Sequence, residues 1–208
     1  MNILTILLLL AAFLLTRISN LRTAVNILLI QSAIIALACV AVGWDTGQAH
    51  TYIAALLTVA IKACLIPYAL YGIVRRLRHE REINPILGIN FSSAAAAVMA
   101  LLAYGLTDRI LPGVINRDVL AAAISLTLIG LLIIITRRQA IMQIVGLITM
   151  ENGLYLLGLS VTKGLPLIIE LGIFFDVLVA VVVLVILTYR LKLSFMTTDT
   201  SVLKKLKG

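Results

Sequence analysis

The chain has 208 residues, of which 62% are hydrophobic and 12% charged, with a mean hydropathy of +1.15. Soluble domains average about 45–50% apolar and about 25% charged residues, so a soluble enzyme, a secreted disulfide scaffold and a disordered tail are excluded. The net charge of +8 does not describe a nucleic-acid surface, because the basic residues are scattered through short connectors between apolar runs.

In chain order, seven apolar runs read as membrane spans, at residues 2–16, 24–43, 51–74, 86–106, 117–135, 139–161 and 165–189. The expectation is an all-α polytopic membrane protein with about seven transmembrane helices. The first run is short at about 1.5 Å per residue. Nothing basic precedes it and no small-residue cleavage site follows, so it is read as a retained helix rather than a signal peptide. In the third run Pro67 follows Lys62 by five residues, predicting a kink and a carbonyl without its usual donor. Turn residues separate the runs at Gly43 to Gly47, Asn84-Pro85, Pro112-Gly113 and Gly164 to Pro166. The stretch from Asp108 to Asp118 forms a compositional seam, dividing a four-helix part (1–115) from a three-helix part with a short tail (116–208).

Basic residues set the orientation. One side carries Arg17, Arg22, Arg75, Arg76, Arg78, Arg81, Arg137, Arg138, Arg190, Lys192, Lys204, Lys205 and Lys207, and the other carries Arg109, Arg117 and Lys163. That bias places the N-terminus outside and the C-terminus in the cytoplasm of an inner (plasma) membrane protein.

Four ionisable residues fall inside the runs. Lys62, Glu151 and Asp176 lie near the middle of runs three, six and seven, and Glu170 lies near the outer end of run seven. A charge at mid-bilayer costs at least about 2.5–3.5 kcal/mol, so it faces a partner or a wet cavity. One reading is a static interhelical ion pair, for instance Lys62 with Asp176. The other is ion transfer, since desolvation disfavours the charged form of either group and lets both exchange protons near neutral pH. Glu170 can reach headgroup water, and its offset of six residues from Asp176 turns it about 120° around the helix. Gln31, Gln143, Asn90 and Asn152 read as interhelical hydrogen bonds. Cys39 and Cys64 read as small buried hydrophobes. His50 and His79 fall in connectors on opposite sides and cannot share a metal. With no Gly-rich phosphate loop, paired-cysteine motif or intramembrane histidine, no cofactor is expected in this chain.

The segments TRRQAIMQIVGLITMENGLYLLGL from Thr136, LPLIIELGIFFDVLVAVVVLVIL from Leu165, the closing LKKLKG and IKACLIP from Ile61 together resemble hydrogenase-4 component E. That is a membrane subunit of group 4 nickel–iron hydrogenases and formate hydrogenlyase-type complexes. The last three runs are also similar to the three-helix K subunit of complex I and the C subunit of Mrp-type antiporters. The shared features are the Arg137-Arg138 pair and the helix carrying Gly146-Leu147. The K pattern has its first membrane glutamate directly after that Gly-Leu pair. Here Ile148 stands there, and Glu151 follows about one turn later. Asp176 corresponds most nearly to the second glutamate.

The resemblance implies a non-catalytic subunit of a complex I-like membrane arm. Its partners would be antiporter-like chains, other membrane-arm subunits and lipid, and Glu151, Asp176, Lys62 and Glu170 would contribute to proton or sodium translocation. A structural scaffold is the alternative. An independent transporter lacks the recurring Gly- or Pro-broken helices of inverted repeats.

The orientation is testable by cysteine-accessibility labelling at Gln48 and His79. The two positions should label from opposite sides, and labelling from one side would overturn the topology.

Overall fold

Helix ends follow from local chemistry. In the computed structural model, which describes residues 2–47, 49–75, 82, 85–110 and 117–162 with Leu178, Val181 and Val185, α1 (Asn2–Arg17) is followed by α2 (Leu21–Thr46). Asn20 starts α2 by accepting hydrogen bonds at its side-chain oxygen from the backbone N–H of Arg22 and Thr23, at 2.9 and 3.3 Å. Gly47 ends it in the left-handed conformation at φ 67°, its N–H donating to the Gly43 carbonyl. These two caps extend the helix beyond the 24–43 read from hydropathy.

The third span is continuous but not uniform. It comprises α3 (Ala49–Leu57), a π-helical segment (Thr58–Leu65) and α4 (Ile66–Val74). Pro67 has no N–H to offer the ladder. Just before it the hydrogen-bond register widens, and the Ile66 N–H reaches back five residues to the Ile61 carbonyl. The disturbance expected near Pro67 thus takes the form of a widened helix upstream, and Lys62 lies within it.

The remaining described helices are α5 (Ile89–Ile110), α6 (Arg117–Thr136) and α7 (Ala140–Thr162). Among the described residues all regular structure is helical. Among the described residues five spans are long and apolar enough to cross a membrane: α2, the third span, α5, α6 and α7. Five of the seven expected spans are thus present among them. At 16 residues α1 is too short by length, and the run at 165–189, with Glu170 and Asp176, lies outside the described residues.

The core forms where α6 packs on α7, α1 and α5, and where α2 packs on α7, α1 and the third span. Leu8, Leu28, Ile35, Leu126 and Ile129 are buried there. Leu10, Leu56, Tyr68, Phe91 and Leu101 point outward, which carries no penalty where the surroundings are lipid tails as apolar as leucine. Cys39 is buried as expected, whereas Cys64 is exposed, on the outer face of the widened segment.

A second departure concerns Arg137, expected in a solvated connector. It is 1% exposed and pairs with Glu82 at 2.9 Å. Its guanidinium also donates to the Thr16 carbonyl at 2.6 Å, at the end of α1. Glu82 accepts from the backbone N–H of Arg138 at 2.8 Å and of Gln139 at 3.3 Å, at the start of α7. The pair therefore places positive charge at one helix C-terminus and negative charge at another helix N-terminus, each matching the local dipole.

The α6–α7 contact is backbone against backbone. A Cβ on Gly130 would meet the Met150 backbone, with Cα at 2.6 Å, and one on Gly153 would come within 2.5 Å of the Thr127 backbone nitrogen. Small residues allow such approach. Gly130→Ala and Gly153→Ala should each cost about 1–3 kcal/mol by overpacking, read as lower thermal stability in detergent. Gly72→Ala, with open space around it, should be neutral.

Candidate functional site

Residues 151, 152 and 155 of α7 lie within about one turn, so Glu151, Asn152 and Tyr155 turn toward the same neighbours. Opposite them the widened segment carries Lys62. The Lys62 ammonium forms an ion pair with Glu151, and the two side chains are 1% and 3% exposed. The ammonium also donates to the Asn152 side-chain oxygen at 3.2 Å and stands 5.7 Å from the centroid of the Tyr155 ring, within cation–π range. Across from it, the Cys39 thiol of α2 donates to the Tyr155 hydroxyl at 3.2 Å.

Toward the start of α7, the Thr149 hydroxyl contacts the Gln31 amide oxygen of α2 at 3.1 Å. Polar atoms inside the core remain to be satisfied: Glu151 Oε2 and Asn152 Nδ2 are buried without a hydrogen-bond partner among the described residues.

Two of the four sequence-predicted site residues, Lys62 and Glu151, are therefore brought together, each near the middle of its span. Glu170 and Asp176 lie outside the described residues. Among the described residues the lysine pairs with the glutamate of α7, and the Lys62–Asp176 pair considered from sequence involves a residue outside them. Gln31 makes the expected interhelical bond. Asn152 makes one as well, accepting from Lys62 of the third span, and so belongs to the charged site. Gln143 donates locally to the Arg137 carbonyl at 3.0 Å, and Asn90 is exposed.

Sequence reasoning missed Tyr155 and Cys39. The i, i+4 spacing of Tyr155 from Glu151 was a usable signal, while nothing marked Cys39. It also missed Glu82, whose role depends on a loop meeting two helix ends.

Chemically, an ammonium held against a carboxylate can pass it a proton, giving two neutral groups with no change in total charge. Burial penalises the charged forms of both, so the pair responds to any charge that arrives or leaves nearby. The site has the elements of a charge relay: an acid and a base on different helices, an amide and a ring fixing the ammonium, and apolar surroundings.

A bundle of apolar helices with an ion pair sealed between two of them defines a polytopic membrane protein with an intramembrane charged site. No family profile and no solved structure matches the chain. It is similar to an uncharacterized protein of Mycobacterium tuberculosis, at 30% identity over 192 residues covering 90% of this chain and 87% of that protein. It is likewise 30% identical to hydrogenase-4 component E of Escherichia coli over 149 residues, 71% of this chain and 69% of that protein, and matches component E of Shigella flexneri to the same extent. The chain belongs to the hydrogenase-4 component E family.

Removing one member of a buried pair costs about 3–5 kcal/mol, because the survivor is left charged and unpaired, whereas replacing both is often neutral. Lys62→Met and Glu151→Met should each strongly lower the unfolding temperature in detergent, and the double change should recover most of the loss. Additive losses would mean that the two side chains do not interact. Glu151→Gln should be milder, since its amide oxygen still accepts from the ammonium.

Proposed function

We propose that this chain is a non-catalytic subunit in the membrane arm of a complex I-like hydrogenase or related oxidoreductase complex. In this reading it moves protons or sodium ions and links antiporter-like chains to the redox module. Lys62 and Glu151 form its exchange site, Asp176 is the relay partner on the following helix, and Glu170 lies toward the outer surface. The last three apolar runs, whose sequence resembles the K subunit, form the module that carries Glu151 in this reading.

The observation that supports this most is the Lys62–Glu151 pair, buried on two different spans. A charge pair at that position is costly to keep for packing alone, and apolar replacements would fill the volume without the desolvation cost. The family supplies the second support, because the Escherichia coli and Shigella flexneri relatives are components of hydrogenase-4. No electron carrier is assigned to this chain in this reading, and donor oxidation belongs to partner subunits.

Glu151→Gln keeps shape and hydrogen bonding while removing titration. In proteoliposomes holding the assembled complex, it should leave donor oxidation largely intact and reduce coupled ion pumping. Asp176→Asn should behave likewise, and the double change should cost little more than either alone if both act in one path. Full pumping by Glu151→Gln would leave the pair as a static brace of a scaffold subunit.

A further inference from the structure

We propose that Tyr155 is a positioning residue for Lys62, acting through the face of its ring. The inference rests on the exchange-site reading and deepens it. Tyr155 is 1% exposed, and its ring stands 5.7 Å from the Lys62 nitrogen. Its hydroxyl is turned away to a different helix, where it accepts from the Cys39 thiol at 3.2 Å. A tyrosine has two ends, and here each is engaged by a different element.

The ring end carries the argument. A lysine side chain has four flexible carbons and a compact point charge, so one carboxylate does not fix its position. Three groups from one helix do so here: Glu151 on the charge, Asn152 at 3.2 Å and the ring face of Tyr155. Cation–π attraction strengthens where water is excluded, and every member of this site is nearly fully buried. Among the described residues, the titratable groups facing Lys62 are Glu151 and Tyr155 from α7 and Cys39 from α2. The ring therefore stabilises the ammonium form without adding a proton acceptor that would compete with Glu151.

The test separates ring from hydroxyl and both from packing. The assembled complex is prepared with Tyr155→Phe, then with mono-, di- and trifluorinated phenylalanine at position 155, which weaken the ring's negative face at nearly constant shape. Pumping per donor oxidised is followed against pH, with Glu151→Gln alongside. Tyr155→Phe keeps the ring face, so the alkaline limb of its profile should fall where that of the unaltered protein does. Successive fluorination should move the alkaline limb of the profile stepwise to lower pH, by about 0.5–1 unit in total, with donor oxidation unchanged.

A profile insensitive to fluorination would overturn the proposal, and so would a Tyr155→Phe variant whose alkaline limb moves, since the hydroxyl would then carry the effect. If Glu151→Gln pumps fully, the exchange-site reading itself fails. A Glu151 effect without a fluorine effect removes only the role given to Tyr155.

Discussion

An ammonium and a carboxylate inside a lipid-facing bundle must find each other, because neither can be left charged and alone at acceptable cost. That requirement organises this molecule. Lys62 on the third span and Glu151 on α7 are far apart in sequence, and their union holds α7 within side-chain reach of the middle of the third span, with α2 packed against both. The widened segment before Pro67 belongs to the same constraint. It places the lysine in the stretch where the helix departs from its regular register, a place where π-type turns recur at functional positions. Asn152 and Tyr155 then surround the charge from the α7 side.

The side of α7 that meets α6 is governed by the opposite chemistry. There the requirement is closeness, not charge, and Gly130, Gly146 and Gly153 remove the side chains that would hold the two backbones apart. One helix thus presents a charged face to α2 and the third span and a smooth face to α6. Because the smooth contact is made by backbone atoms with little room to slide, Glu151 is carried on a paired unit of α6 and α7 rather than on a lone helix. An ion pair built on such a mount can respond to charge without large displacement of its frame.

Hydropathy made the described spans legible, and the cost of burying charge singled out Lys62 and Glu151 before any contact was known. The bounds of α2 were less legible because its caps, Asn20 and Gly47, are polar or featureless residues that hydropathy counts as connector. The conformation around Pro67 was legible as a disturbance but not in kind, since a missing N–H does not say whether a helix will bend or widen. The partner of Lys62 was open among the acidic residues, because residue spacing within single helices does not say which helices touch. Arg137 was misread for a related reason. In sequence it is one of a basic pair at a turn, and only the arrival of Glu82 from another loop converts it from a solvated charge to a buried one.

That conversion has a consequence for how the chain is inserted. Arg137 and Glu82 lie in different connectors, separated along the chain by two hydrophobic crossings, α5 and α6. They can meet only if both connectors are delivered to the same face of the bilayer, since a misplaced crossing would separate them by about 30 Å of hydrocarbon. While the chain is being threaded, Arg137 is free to act with its neighbours as a retention signal for one side. Once the helices assemble, it is consumed in a bond that forms only after correct threading. The ion pair thereby depends on both crossings: a chain in which just one of α5 and α6 spans the bilayer would be left with an open helix end at α1, an uncapped α7 and two unmatched charges.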